Sequence, residues 1–246
     1  MPDSLTIQVR TFGSVSARAY HAETSTRFGR TLVLAHGAGG NQSSRFMVRF
    51  GTDLASRGLD VLTFNFLYTE QRRRAPDRTD KLEACYRAVA SFAGRYEPWR
   101  RNALFLGGKS MGGRMASHLG AATGEAAVDG LRGLVFLGYP LHPPGTPDRL
   151  RSAHLPDIRV PMLFVQGARD PFGTEAELRP ILDALPAPVT LHVVEQGDHS
   201  LAPPKRGPLS IDQVYDQIQD VIVKWTTAVA NEPEGSTVRE AHQDHA

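Results

Sequence analysis

The sequence holds one cysteine, Cys85, among its 246 residues. A lone thiol excludes a disulfide-stapled scaffold and any site that needs several thiolate ligands, and it fits a reducing compartment. Lysine is almost as scarce: only Lys81, Lys109, Lys205 and Lys224 occur, so the other 24 of the 28 basic residues are arginine. Neither sign of charge prevails, because 26 acidic residues leave a formal net charge of +2. The one dense basic run, Arg72-Arg73-Arg74, lacks interleaved aromatics, which argues against a nucleic-acid-binding face. Met1-Pro2-Asp3-Ser4 carries no basic segment leading into an apolar one, and no apolar run approaches the roughly 18 residues of a membrane span. The expectation is a soluble, cytoplasmic protein with neither membrane nor nucleic acid as partner. What remains is an ordinary globular composition, 41% hydrophobic and 22% charged, enough for one large domain or two small ones.

Strand signals come first along the chain. Residues 5–9 and 14–20 alternate apolar and polar around a turn at Gly13, as an antiparallel hairpin does. Nearly unbroken apolar runs follow at residues 31–35, 61–64, 103–106, 134–137, 162–165 and 189–194. Such runs suit strands covered on both faces, the habit of parallel sheets. Helical patterns lie between them at 44–57, around Leu82, Cys85, Tyr86, Val89 and Ala93, and at 111–119 and 175–185. The clearest runs from Ile211 through Val214, Ile218 and Ile222 to Trp225, with Ser210 and Gln213 spaced as a capping box. Alternating strands and helices predict an α/β fold: a doubly wound, mostly parallel sheet of about eight strands flanked by helices. Six of the 17 prolines fall between Tyr139 and Pro161, which reads as a long ordered loop. The domain is expected over residues 1–230. The remainder, 231–246, has one branched aliphatic, Val238, and is expected to be disordered.

Chemistry concentrates where the strands end. Leu106-Gly107-Gly108-Lys109-Ser110-Met111-Gly112-Gly113 places G-x-S-x-G directly after a buried strand and before a helix. A nucleophile elbow needs this layout, because the chain turns so sharply at the serine that its neighbours two positions away must be small. The same residues do not make a phosphate-binding P-loop, whose first glycine would fall at Ala103 inside the strand. A glycine-rich packing turn with a serine N-cap would explain the segment if it stood alone. It does not stand alone. His36-Gly37-Ala38-Gly39-Gly40 ends an earlier strand and can aim a backbone N–H at the space above Ser110. The N–H groups of Ala38 and Met111 are the expected oxyanion-hole donors. This loop is not a dinucleotide fingerprint, since the third glycine would fall at Gln42. Asp170 and His199 follow later strands, 60 and then 29 residues on, in the order nucleophile, acid, base. Asp198 is a rival acid, but its adjacency to His199 should turn its side chain away.

With these residues assembled, the sequence resembles the α/β-hydrolase superfamily from about residue 5 to 225. More narrowly it is similar to the lid-less, dienelactone-hydrolase-like predicted hydrolases. That branch includes the hydrolase-like domain of a subunit of the NSL histone-acetyltransferase complex. The likeness rests on His36 to Gly40, Gly108 to Arg114, Tyr139-Pro140-Leu141-His142-Pro143-Pro144-Gly145, and Gln166-Gly167 with Asp170-Pro171-Phe172-Gly173. It implies a serine hydrolase acting on a small-molecule ester or thioester through Ser110, Asp170 and His199 by way of an acyl-enzyme. It also allows a catalytically silent module of the same fold that serves interaction. True dienelactone hydrolases use a cysteine nucleophile; here Ser110 holds that place and Cys85 sits mid-helix, so their substrate does not carry over.

Other residues are read against plainer roles. His36 should brace the oxyanion loop, and His142, in the proline-rich segment, is a candidate substrate contact, as is Tyr68. Arg72 to Arg74 read either as a solvated loop or as a contact for an anionic substrate. No histidine or carboxylate pair has zinc spacing, and the expected reaction needs no metal and no organic cofactor. About twenty residues between Tyr139 and Pro161 are too few for a helical cap, so an open site is expected. The oligomeric state stays open.

Overall fold

The computed structural model describes residues 1–23 and 27–232. An antiparallel hairpin, β1 (Asp3–Val9) and β2 (Gly13–Tyr20), opens the chain. Then follow β3 (Arg30–Ala35), α1 (Arg45–Ser56), β4 (Asp60–Phe64), a short α2 (Leu67–Glu70), α3 (Thr79–Arg95), β5 (Ala103–Lys109) and α4 (Met111–Ala121). The chain closes with β6 (Leu131–Leu137), β7 (Met162–Gly167), α5 (Glu175–Asp183), β8 (Val189–Val194) and α6 (Ile211–Asn231). All eight strands form one sheet in the order β1-β2-β4-β3-β5-β6-β7-β8, parallel from β4 through β8.

Two apolar layers sandwich this sheet, and strand alternation decides which residue enters which. Val33, Leu106 and Phe136 face α3, α4 and α5, while Leu32, Phe105 and Val135 face α1 and α6. That two-sided cover is why β3, β4 and β7 are buried at every residue and read as continuous apolar runs. Inside the first layer the Tyr86 hydroxyl shares its one proton between the carbonyls of Val33 and Gly107, 2.8 and 2.6 Å away, and accepts from the Gly107 N–H at 2.9 Å. This hydroxyl links β3 to β5 immediately before the serine turn.

The long C-terminal helix α6 is fixed by its capping box, where Gln213 N–H donates to Ser210 Oγ at 3.2 Å and Ser210 N–H to Gln213 Oε1 at 2.9 Å. Sequence periodicity ended this helix at Trp225, whereas it continues to Asn231 because Thr226 and Val229 prolong the buried face. The tail expected to be disordered lies, from residue 233 on, outside the described residues. The α2 turn was not anticipated, since four residues are too few to show helical periodicity. Residues 138–161 carry only one helical turn, Leu155–Asp157, so no large cap covers the sheet edge. Among the described residues no helix is long and apolar enough to cross a membrane.

Candidate active site

The turn after β5 is sharp because Ser110 holds φ 50° and ψ −117°, a backbone conformation that costs a non-glycine residue roughly 1–3 kcal/mol. Its neighbours permit the strain. A Cβ on Gly108 would stand 2.5 Å from the Gly112 carbonyl carbon, and one on Gly112 would stand 2.5 Å from the Ala35 carbonyl oxygen. The x positions are free of that constraint. Lys109 lies over the Phe46 ring at 5.0 Å, where burial pushes its ammonium down against the opposing pull of Asp198 and Asp170.

Ser110, His199 and Asp170 come together from three loops. Ser110 Oγ lies 2.8 Å from His199 Nε2, and His199 Nδ1 lies 2.8 and 3.0 Å from the two Asp170 oxygens. A carboxylate only accepts, so Nδ1 carries the proton and Nε2 is left to accept from the serine. Asp170 is wholly buried, whereas the His199 side chain keeps 21% exposure. The Phe172 ring stacks on the imidazole with centroids 4.1 Å apart. Asp198 points elsewhere: its Oδ1 accepts from the N–H groups of Ser200 and Ala202 at 2.7 and 3.0 Å.

Gln166, in the motif that leads to Asp170, holds the acid in place. Tyr139 N–H donates to its Oε1 at 2.8 Å, which fixes the amide's orientation. The NH₂ then points at Asp170 Oδ2, 2.9 Å away, and at the Gly173 carbonyl, 2.7 Å away. Phe172 N–H supplies Asp170 Oδ1 with a further bond at 2.8 Å. The sequence signal was a polar residue closing an otherwise apolar strand, four positions before an acid.

The Gly-rich loop after β3 lies against the elbow, since a Cβ on Gly37 would stand 3.5 Å from that of Ser110. Gly39 adopts φ 72° and Gly40 N–H donates to the Gly37 carbonyl at 3.0 Å, a tight turn with Ala38 inside it. His36 braces this turn. Its Nδ1–H donates to the Gly37 carbonyl at 2.8 Å, and Nε2 accepts from Phe66 N–H at 3.2 Å. Burial pushes the imidazole down, so it serves as a neutral donor and acceptor. Met111, opening α4, contributes an N–H with no partner in a preceding helical turn. Ala38 follows Gly37 and Met111 follows Ser110, on the two segments that meet here.

The remaining sequence candidates occupy more enclosed positions. Tyr68 on α2 is 1% exposed, its ring near those of His36 and Phe66, and burial raises its phenol. His142 is also buried; its N–H donates to the Phe172 carbonyl at 3.0 Å, tying the proline-rich segment to the Asp170 loop. Arg72 and Arg74 are exposed, and Arg73 pairs with Asp77. Cys85 is a buried small residue whose thiol is pushed up to about 12. No cluster of three histidine, cysteine or acidic side chains able to hold a metal occurs among the described residues.

Known proteins of this architecture can now be set beside the chain. A lid-less α/β serine hydrolase from Xanthomonas campestris superposes with TM-score 0.70 at 21% identity, covering 91% of this chain and 94% of that one. The dienelactone hydrolase of Anabaena variabilis gives 0.70 at 16%, with 97% and 99% covered. An esterase domain from a Rhodothermus marinus protein gives 0.67 at 14%, with 93% and 98% covered. These likenesses show the shared fold. The family model described as alpha/beta hydrolase domain matches residues 29–227, most of the chain. The chain is therefore a member of the alpha/beta hydrolase domain family.

Proposed function

We propose that the protein is a serine hydrolase of small esters or thioesters. The observation that carries this reading is the continuous hydrogen-bonded chain from Ser110 through His199 to the buried Asp170, anchored at a strained serine. In the proposed reaction, His199 Nε2 takes the hydroxyl proton while Ser110 Oγ attacks the substrate carbonyl carbon. The carbonyl π electrons move onto its oxygen, which the N–H groups of Ala38 and Met111 would receive. Asp170 holds the imidazole in the required tautomer and offsets its positive charge. Collapse of the tetrahedral adduct expels the alcohol or thiol, which takes the proton from His199 and leaves Ser110 acylated. Water, deprotonated by the same nitrogen, then attacks the acyl carbonyl carbon, and as that adduct collapses Ser110 Oγ leaves, taking the proton back from His199 and releasing the acid. Every step uses side chains and backbone of this chain.

The absence of a cap favours short or flexible acyl groups over deeply enclosed ones. That a lid-less hydrolase, a dienelactone hydrolase and an esterase domain share this fold supports ester cleavage over amide cleavage. A fluorophosphonate probe should label the wild type at Ser110 and leave Ser110→Ala untouched. The wild type should also hydrolyse p-nitrophenyl esters of short acids at least ~10³-fold faster than Ser110→Ala, as loss of a triad member costs. No labelling and no turnover across esters and thioesters would instead favour a silent member of the fold.

A further inference from the structure

One face of α4 runs from Ser110 into a cluster that the proposed reaction does not use. Arg114, Ser117 and His118 stand at i, i+3 and i+4 within α4 and so share one side of the helix, beginning four residues after the Ser110 turn. Residues 138–161 cover that side. Ser117 Oγ is 2.7 Å from His154 Nε2 and 3.5 Å from Tyr139 Oη, and Tyr139 Oη donates to the Arg151 carbonyl at 2.9 Å. The rings of His118 and His154 lie 4.1 Å apart. Arg114, Arg151 and His154 are thereby gathered into one recess beside the elbow.

Among the described residues no carboxylate pairs with the arginines of this recess: no ion pair engages Arg114, Arg149 or Arg151, and the Nε of Arg114 is buried without an acceptor. The nearby carboxylate of Glu83 is already taken by His118 Nδ1 at 2.8 Å. Mutual repulsion marks the site: burial first, then Arg114 and Arg149, hold the Arg151 guanidinium down. Burial, then His118 and Arg114, bring His154 to about 4. Buried guanidinium N–H groups are seldom left unpaired, because the desolvation they suffer goes uncompensated. An acceptor brought by a ligand would compensate it.

The position of the recess suggests what brings that acceptor. Side chains on a helix lean toward its N-terminus, which aims Arg114 back toward Ser110. Four residues of helix rise only ~6 Å, so the charged head lies within a short spacer of the reacting carbonyl. Guanidinium groups match carboxylates with two parallel hydrogen bonds. On the footing of the ester-hydrolase reading, we infer that the Arg114–Arg151 recess binds a carboxylate at the far end of the acyl group. The substrates are then half-esters or half-thioesters of short dicarboxylic acids.

Paired esters test this: mono-p-nitrophenyl glutarate against p-nitrophenyl pentanoate, hydrolysed by wild type, Arg114→Gln and Arg151→Gln. The wild type should favour glutarate at least tenfold in kcat/KM. Each variant should lower that ratio at least tenfold, chiefly through KM, and Arg114→Lys should restore part of it. Calorimetry of free glutarate on Ser110→Ala supplies a readout independent of turnover, and binding should vanish in Ser110→Ala/Arg114→Gln. Should Arg114→Gln fail to fold, Arg151→Gln in the covering segment reports on the same recess. A wild-type ratio of one or less, or equal loss on both esters in the variants, overturns the assignment. Glutarate binding without turnover of either ester rejects the hydrolase reading and keeps the recess. Pentanoate turnover without glutarate preference or binding does the reverse.

Discussion

Ser110 can be strained only because its surroundings are over-determined, and single atoms do most of that work. Gly112 shows how little room is left. Because its missing Cβ would sit 2.5 Å from the Ala35 carbonyl oxygen, any side chain there would push β3 away from α4. Gln166 does the equivalent for the acid, holding Asp170 Oδ2 at 2.9 Å while it fills the hydrogen bonds of Tyr139 and Gly173. Gln166→Glu keeps the shape but replaces the donating NH₂ with a second carboxylate against Asp170. Losing a buried hydrogen bond to a charged group costs ~1.5–3 kcal/mol, so kcat should fall about 10- to 100-fold with KM little changed. Steady-state kinetics on a short ester would check it, and a kcat within twofold of wild type would count against a positioning role. The residues that the structure brings to Ser110 were legible because each ends a strand and belongs to a glycine-rich turn. Gln166 also closes a strand, four positions before the acid, but that signal alone assigns it no role. What orients its amide is the Tyr139 N–H, 27 positions away, and a pairing that distant leaves no local pattern.

At the scale of elements, apolar burial outweighs charge in holding the fold. The α6 helix meets α1 through both. Ile218 and Ile222 are wholly buried, while Arg49 and Arg57 reach across to Asp212, Asp216 and Asp220 on the helix surface. Those aspartates are 50–71% exposed, so each pair contributes little, below ~1 kcal/mol. Truncating a buried isoleucine loses transfer energy and leaves a cavity, typically ~2–5 kcal/mol. Urea unfolding should therefore show Ile218→Ala destabilised by ~2–5 kcal/mol and Asp216→Ala by less than ~1. Comparable losses in the two variants would mean that the arginine–aspartate ladder, not the apolar stripe, docks α6. This ordering also explains what the sequence discloses. Helix and strand placement follow from the periodic burial of Val214, Ile218 and Ile222, or of Leu32 and Leu34, which repeats along the chain. Where burial is irregular, as in α2 with only Leu67 and Tyr68 inside, periodicity is silent and the element is found only in three dimensions.

For the molecule as a whole, the two apolar layers and the eight-stranded order make one body, and splitting the chain between Ser110, Asp170 and His199 would divide the site. The same compactness encloses titratable groups, and four histidines are affected. Burial is the first cause that lowers His36, His118, His154 and His192, with His154 brought to about 4. In the unfolded chain each would titrate near its ordinary value of 6.5. Between that value and about 4 the unfolded state binds more protons than the native one, so stability rises with pH through this window. Above it both states are neutral and the effect vanishes. As pH falls below 6.5 the unfolded chain gains protons that the native histidines refuse, and stability is lost until the native sites also protonate. His154 is partly solvated, so after discounting for that exposure its share is on the order of 1–2 kcal/mol. Its repulsion by Arg114 and His118 adds to the burial, a coupling that charge counting along the sequence could not show. The Tm should accordingly drop between pH 7 and pH 5, and His154→Gln, which cannot titrate, should flatten that drop by removing its contribution. Scanning calorimetry of both proteins across this range reads the effect directly. A wild-type Tm constant from pH 7 to 5, or an identical slope in His154→Gln, would show that the enclosed imidazoles take up protons as freely as they do in water.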